Sequence, residues 1–182
     1  MLREDSDCLL GYHPWFTHFI KLDDNTSKEE HYRSLFPSTK PEDAEAFAAL
    51  LAVFREPISL SSILAEVREN LQAFPNAMLG EVGLDGAFRV PYDYDATPRR
   101  LTPFTVPLSH QLAILEAQFG LAMDLGRNIS LHSVKAPQPT VDLLQKMLTN
   151  HGERWQNINI DLHSCGLSPE VWKSLQVRHQ RC

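Results

Sequence analysis

Three residues of the chain have side chains that suit a metal site and hydrolytic chemistry. Glu81 lies in the run Gly-Glu-Val-Gly-Leu-Asp at residues 80–85, and His132 and His163 each follow an alternating apolar segment. Carboxylate and imidazole are ligands that zinc, manganese and iron accept, and carboxylate-rich sites also hold magnesium, so the metal stays open. Each residue alone also has an ordinary structural interpretation, since a histidine can be packed and a glutamate can cap a helix. Their joint position at predicted strand ends favours a site.

Short strands are needed to bring the side chains of Glu81, His132 and His163 close together. The candidates are four short, largely apolar segments: residues 8–12, 77–82, 128–132 and 158–163. Helical patterns separate them, and this alternation predicts parallel strands joined by helical crossovers. His132 and His163 are 31 residues apart, about one unit of a (β/α)₈ barrel, in which eight units take roughly 250 residues. We therefore predict an α/β fold, a partial (β/α)₈ TIM-type barrel of about four strands, with catalytic groups at the carboxyl edge of the sheet.

The helices are predicted from propensity and from apolar residues at three- and four-residue spacing. They are expected near residues 28–35, 44–54, 59–74, 108–125 and 141–148, with a last helix opening at Ser168. Gly126 suits the C-cap of the helix over residues 108–125. Residues 86–107 carry four prolines and show no period, which predicts a long surface loop bordering the active face.

Composition limits the class of protein. The chain has 182 residues, 43% of them hydrophobic, and a formal net charge of -6, which predicts one domain over residues 1–182 and no dedicated nucleic-acid-binding face. A DNA substrate would therefore need bound cations. No apolar run reaches the roughly 20 residues of a membrane span, and the acidic N-terminus is not a signal peptide. Together with three scattered cysteines, expected to be reduced thiols, this predicts a cytoplasmic or nuclear protein without membrane contact.

Several motifs resemble those of the TatD-like metal-dependent deoxyribonucleases, a family of the amidohydrolase-like barrel group. Residues 80–85 resemble the family's GE(I/V)GLD signature, and residues 11–14, Gly-Tyr-His-Pro, resemble its GxHP segment. Residues 132–136 resemble its IHS or LHC strand, and His163 resembles its next strand-end histidine. The similarity runs from about Leu9 to Leu175, and the segment from Phe88 to Phe104 resembles the fungal branch of the family.

This resemblance implies a role for each matched residue. Glu81 is expected to ligate and bridge two divalent ions (Mg, Mn or Zn), while His132 and His163 complete the shell of one ion. A metal-activated water is then expected to attack a phosphodiester, such as DNA. Asp85 is expected to serve catalysis by orienting a ligand, or else to stabilise the turn.

Two further residues are expected at the substrate. Lys135 would contact a phosphate as a point charge, although a solvated surface lysine is the more ordinary role for it. His13 is expected near the rim of the site, where its neighbour Pro14 also suggests a conformational role.

The chain also departs from the family pattern. It contains no H-x-H pair, which the family carries on its first strand as metal ligands, and it ends before the expected aspartate of a later strand. We therefore expect a chain truncated at both ends, marginally stable and prone to self-association. Two functions stay open, a TatD-type hydrolase acting on phosphodiesters and a catalytically incomplete fragment that binds a protein partner as an adaptor. Ester or amide hydrolysis is a weaker third.

Overall fold

The computed structural model of the chain describes residues 8–38, 40–166, 170 and 173. A 3-10 helix, Pro14–Phe19, precedes the α-helices, which are α1 (Lys28–Leu35), α2 (Pro41–Val53), α3 (Leu60–Ala73), α4 (Leu108–Leu125), α5 (Pro137–His151) and α6 (Glu153–Gln156). The strands are β1 (Ile20–Lys21), β2 (Ile58–Ser59), β3 (Leu79–Asp85), β4 (Arg89–Pro91), β5 (Leu101–Thr105), β6 (Ile129–Val134) and β7 (Ile160–His163). Within this described part, no helix has both the length and the apolar character needed to cross a membrane.

The main sheet holds β3, β6 and β7 in parallel, with β6 in the centre. On the outer edge of β3, Leu9 forms an isolated parallel bridge with Met78. The segment predicted as the first strand therefore adds one bridge rather than a ladder. Helices connect the parallel strands, as α4 does between β3 and β6 and α5 between β6 and β7. The predicted α/β class with crossover helices is confirmed, as an open sheet compatible with a partial (β/α)₈ barrel.

The strands that carry the candidate residues run further than the apolar pattern predicts. β3 continues to Asp85 and β6 to Val134, because Gly83 pairs in register with His132 and keeps the ladder intact. Glycine and histidine interrupt an apolar pattern without interrupting backbone hydrogen bonds. Glu81 and His132 consequently lie within their strands, and only His163 is the last residue of its strand.

Helix boundaries follow the capping residues. Ser27 and Glu30 form a capping box at the start of α1, and Ser59 accepts a hydrogen bond from a first-turn amide of α3. Gly126 has φ 62° directly after α4, the left-handed C-cap that its position predicts. The helices predicted over residues 28–148 are confirmed, with ends shifted by a few residues. The helix predicted to open at Ser168 falls on residues that are mostly outside the described part.

The prediction of a structureless loop over residues 86–107 is wrong. β4 and β5 pair there as an antiparallel hairpin. Val90 and Thr102 are buried, and the Thr102 hydroxyl donates a hydrogen bond to the Val90 carbonyl at 2.7 Å. Pro91 and Pro103 conceal the alternation in the sequence, but a two-stranded ribbon tolerates proline because each strand has an unpaired side.

Two apolar clusters hold these elements together. The first packs α3 to α6 against the main sheet, with Leu79, Phe119 and Trp155 fully buried. The second joins α1, α2 and the hairpin around Phe36, and Phe19 at the end of the 3-10 helix packs against it. The 3-10 helix is thereby fixed between the sheet and the second cluster.

Gly83 is expected to be essential for the pairing of β3 with β6. A Cβ at this position would lie 2.8 Å from the His132 carbonyl carbon and 2.9 Å from its amide nitrogen. Gly83→Ala should therefore lower the free energy of unfolding by about 3 kcal/mol or more, because backbone of a central strand must move. Gly120→Ala is the matched control, since a Cβ there meets nothing within 4 Å and alanine favours a helix interior by about 1 kcal/mol. Equal urea midpoints for the two variants would contradict this account.

Candidate metal centre

The sheet register brings the candidate side chains together. His132 lies between Gly83 on β3 and His163 on β7, each paired with it in register. Glu81 and Asp85 lie two residues before and two residues after Gly83. Side chains two residues apart on a strand share a face, which brings Asp85 to His132, whereas Glu81 lies where the register of β3 against β6 shifts and still has a ligand atom within 4.8 Å of one of His132.

Glu81 contacts imidazoles with both of its carboxylate oxygens. Its Oε2 lies 3.5 Å from His13 Nε2, and its Oε1 lies 3.2 Å from His163 Nε2. The Glu81 side chain is 42% exposed, whereas the two histidine side chains are 17% and 27% exposed. A carboxylate that faces two imidazoles from opposite oxygens has the geometry of a bridging ligand, with one side open to solvent.

Three of these residues form a compact donor set. His13, Glu81 and His132 each offer a ligand atom, and these three atoms lie within 4.8 Å of one another. A tetrahedral zinc with bonds of about 2.05 Å separates neighbouring ligand atoms by about 3.4 Å, close to the 3.5 Å between His13 and Glu81. The residues therefore fit a divalent ion. His13, which the sequence suggested as a substrate contact, lies among the donors.

His163 lies beside this set. Its Nε2 atom is buried and makes no hydrogen bond within the described part of the chain, although it faces Glu81 Oε1. The other ring nitrogen, Nδ1, lies 3.4 Å from the Ser130 hydroxyl and 3.8 Å from an Asp161 carboxylate oxygen. A buried imidazole nitrogen that makes no hydrogen bond but faces a carboxylate oxygen is available as a metal ligand, and its ring is oriented from the other side by a hydroxyl and a carboxylate.

His13 is a neutral base at pH 7. Burial lowers its pKa to about 4, and the nearby His132 imidazole acts in the same direction, whereas the carboxylates of Glu81 and Asp85 oppose both effects. A neutral imidazole keeps a lone pair on one ring nitrogen. Its Nδ1 accepts a hydrogen bond from the Trp15 amide at 3.2 Å, so the proton is on Nε2, the atom that faces Glu81, in the absence of a metal.

Asp85 orients its neighbours rather than facing solvent. It is 4% exposed, and its Oδ1 accepts hydrogen bonds from the amides of Ala87 and Phe88 at 2.8 and 2.9 Å. Its Oδ2 accepts one from the Trp15 indole at 2.6 Å and lies 3.3 Å from His132 Nε2. Burial by itself raises the pKa of Asp85, but the hydrogen bonds outweigh it and the pKa is lowered. The ionised carboxylate can only accept, so His132 donates from Nε2 and keeps its lone pair on Nδ1.

Two buried glutamines of α4 fix the backbone around the centre. Gln111 accepts a hydrogen bond from the Asp85 amide at 2.8 Å and donates one to the Asp85 carbonyl at 3.0 Å. Gln118, two turns later on the same face, accepts one from the Tyr12 amide at 2.9 Å. One helix thus holds both the end of β3 and the segment that presents His13.

An open cleft of about 770 Å³ gives access to the donors, and His13, Glu81 and His132 line it. Ser164 lines it as well, at the turn after β7. Lys135 is exposed in the turn after β6 and is not among the described residues that line the cleft. The predicted contact between Lys135 and a phosphate therefore stays a prediction.

Sequence reasoning missed Trp15 and the two glutamines. Trp15 stacks on Phe88, with ring centroids 4.9 Å apart and planes 12° apart, while its indole reaches Asp85. An aromatic residue directly after a His-Pro pair was a local signal for such a support. The signal for the two glutamines was weaker: Gln111 and Gln118 lie on the apolar face of an otherwise regular helical pattern.

Comparisons with known proteins return two fungal relatives. The chain is 34% identical over 137 residues to "Cut9-interacting protein scn1" of Schizosaccharomyces pombe, which covers 69% of this chain and 39% of that protein. It is 31% identical over 166 residues to "Uncharacterized deoxyribonuclease YMR262W" of Saccharomyces cerevisiae, which covers 88% of this chain and 49% of that protein. The chain thus spans half or less of the length of these curated relatives. No protein-family profile and no solved structure matches it.

Proposed function

This chain belongs to the fungal branch of the TatD-like deoxyribonuclease family, and on that premise we propose that it hydrolyses phosphodiester bonds with divalent metal ions. The position of Glu81 carries the proposal, because its two oxygens face His13 and His163 separately. We assign the whole chain, residues 1–182, to one partial-barrel hydrolase domain. DNA is the first substrate to test, since one relative is named a deoxyribonuclease.

The proposed ligands fall into two groups around Glu81. His13, His132 and one Glu81 oxygen would hold one ion, and His163 with the other oxygen would hold a second. Magnesium, manganese and zinc all remain candidates. When bound, such ions supply activation of a water and neutralisation of charge on a phosphodiester oxygen. His13 would thus serve as a ligand rather than as the substrate contact that the sequence suggested.

The protein's own groups would prepare this chemistry. Asp85 fixes the His132 tautomer by accepting a hydrogen bond from its Nε2–H group, so that the ring needs no reorientation when a metal binds. Burial keeps His13 uncharged at pH 7, so a metal at Nε2 would displace a single proton, the one that faces Glu81. The open side of Glu81 leaves a phosphodiester room to approach.

A binding or adaptor function is the second candidate. One relative carries the name of a Cut9-interacting protein, which describes an association rather than a reaction. In this alternative the donor set would be retained without turnover, and a protein partner would contact the chain.

Metal-dependent melting tests the proposed centre. An ion present at 100 times its dissociation constant should add about 2.7 kcal/mol to the free energy of unfolding of the wild-type chain. Glu81→Ala should abolish this gain, because it removes the bridging ligand. Glu45→Ala is the matched control, since Glu45 is exposed on α2 away from the cleft. Melts of the three proteins with Mn²⁺, Mg²⁺, Zn²⁺ and a chelator check this.

The outcomes separate the two candidates. Stabilisation by metal together with cleavage of an oligonucleotide supports the hydrolase. Stabilisation without cleavage of any phosphodiester favours the binding function. If no ion stabilises the wild-type chain, the metal centre itself is refuted.

A further inference from the structure

A second cleft opens beside the metal centre. Its volume is about 580 Å³, and it shares Phe16 and Arg55 with the cleft that contains Glu81. Aromatic rings from three parts of the chain line much of it: Phe16, Phe19, Phe54, Tyr92 and Tyr94. Because Phe16 and Arg55 belong to both linings, the second cleft adjoins the metal centre.

Arg55 provides a positive charge at the junction. Its guanidinium carbon lies 4.5 Å from the centroid of the Phe19 ring, so stacking holds the exposed side chain in place. Arginine is suited to phosphate because its planar group donates several hydrogen bonds and stays charged. Arg55 is the one lysine or arginine among the described residues that line either cleft, and in a chain of net charge -6 its position favours an anion at the junction.

The aromatic rings offer a surface for stacking. Phe16 is 40% exposed, although it is a large hydrophobic residue, and it contacts Tyr94 with ring centroids 5.8 Å apart. Tyr94 is anchored from behind, because its hydroxyl lies 3.3 Å from His18 Nε2. An exposed ring beside an anchored ring is how proteins stack an unpaired nucleobase.

Two carboxylates complete the lining. Asp93 and Asp95 line the same cleft, and Asp93 Oδ1 accepts a hydrogen bond from the Asp95 amide at 2.8 Å, which orders this turn. Carboxylates accept hydrogen bonds from the exocyclic amines of nucleobases. Alone they would favour a cation, but Arg55 and the stacked rings on the same cleft favour a ligand that is aromatic, amine-bearing and anionic.

We propose that this second cleft binds the nucleoside adjacent to the phosphodiester held at the metal centre, with Arg55 on the intervening phosphate and Phe16 against the base. The inference rests on the proposed function, whose substrate it specifies as a strand with an unpaired base next to the cleaved bond. A paired base cannot enter, because its faces and its hydrogen-bonding edge are occupied in a duplex.

Oligonucleotide binding without metal tests this subsite independently of catalysis. The probe is a fluorescently labelled pentadeoxycytidylate, compared with the same strand lacking one base, and the measurement is fluorescence anisotropy at low salt with a chelator. Arg55→Gln and Phe16→Ala should each weaken binding of the intact strand at least fivefold. Phe16→Ala should matter less for the strand that lacks a base.

Matched variants control for general effects. Arg68→Gln removes an exposed arginine that pairs with Asp124, and Phe74→Ala removes a phenylalanine that is 42% exposed after α3. Both should bind the probe as the wild type does, and all four variants should keep wild-type circular dichroism spectra.

Three results would overturn the subsite. The first is that the wild type does not bind the probe. The second is that Arg55→Gln and Phe16→Ala bind the probe as tightly as the wild type does. The third is that the cleft binds an oligolysine peptide at Asp93 and Asp95 instead of the probe. Failure of the metal centre can be distinguished from failure of the subsite. If only the metal centre fails, no ion changes the melting temperature, but the probe still binds without metal.

Discussion

Asp85→Ala is expected to lower the free energy of unfolding by roughly 3–5 kcal/mol, as removal of one partner from a buried charged network does. Asp85 is 4% exposed, so water cannot replace its carboxylate. The Trp15 indole and the amides of Ala87 and Phe88 would lose their acceptor together. Urea unfolding monitored by tryptophan fluorescence measures this, and a loss under 1 kcal/mol would contradict the role given to Asp85.

Two milder variants separate the contributions of the individual hydrogen bonds to this loss of stability. Trp15→Phe removes the indole donor but keeps a ring against Phe88, and it should cost about 1.5–3 kcal/mol, the range for a hydrogen bond to a charged group. Asp85→Asn keeps the shape but offers one acceptor oxygen, so it should fall between Trp15→Phe and Asp85→Ala. If all three variants lost the same stability, packing rather than hydrogen bonding would explain the site.

These variants also bear on what Asp85 does in the reaction. The sequence allowed either an orienting or a turn-stabilising role for it. The structure gives it both kinds of contact, since Oδ1 caps the turn after β3 and Oδ2 faces His132. A buried carboxylate whose pKa is lowered is a poor proton acceptor at pH 7, so its contacts favour positioning over proton transfer.

Local patterns predicted much of this fold. The helix α4 could be placed because its apolar spacing is regular and because Gly126 can adopt the left-handed C-cap. The strands β6 and β7 could be placed because apolar residues alternate up to His132 and His163. In these segments, local conformation and burial favour the same structure.

Long-range contacts account for what was missed. The hairpin of β4 and β5 is stabilised because Val90 is buried within the second cluster. The proline-rich sequence around Val90 does not indicate that it packs against this cluster. The sequence predicts His13 only near the rim of the site, because its contact with Glu81 joins residues that are 68 positions apart. A pattern along one segment cannot reveal which distant segment completes a ligand set.

Three buried histidines outside the metal centre are expected to make the fold sensitive to mild acid. His18, His31 and His110 are 0%, 4% and 7% exposed. His31 Nε2 donates a hydrogen bond to the His18 carbonyl at 2.8 Å, and His110 Nε2 donates one to the Thr17 carbonyl at 2.9 Å. These bonds attach α1 and α4 to the 3-10 helix that follows His13.

Burial is the main cause that keeps all three rings neutral. It lowers the pKa of His18 to about 3, and the nearby His110, His31 and Arg55 act in the same direction, while a hydrogen bond with the Trp15 backbone opposes them. Burial also lowers the pKa values of His31, where Lys21 adds to it, and of His110, where His31 adds to it, although hydrogen bonds to backbone oppose both shifts. The Tyr94 hydroxyl also faces His18.

The sign of the effect follows from proton uptake on unfolding. Each histidine has a folded pKa below its unfolded value of about 6.5, so its contribution to stability is present above that value and is lost as the pH falls below it. The unfolded chain then binds the extra protons, and each ring adds a slope of up to about 1.4 kcal/mol per pH unit. The partly buried His13 imidazole, whose pKa is lowered to about 4, adds to the same trend.

Urea unfolding at pH 7.5, 6.5, 5.8 and 5.2 checks this expectation above the range where carboxylates titrate. The wild-type chain should lose up to about 1.4 kcal/mol per pH unit below pH 6.5 through His18, and His31 and His110 should add to this loss. His18→Phe should reduce the slope by about 1.4 kcal/mol per pH unit, because phenylalanine fills the aromatic site without taking a proton. His151→Phe, at the end of α5 and away from the cluster, is the matched control and should leave the contribution of the cluster intact. A slope that His18→Phe does not change would show that acid destabilises the chain through other groups.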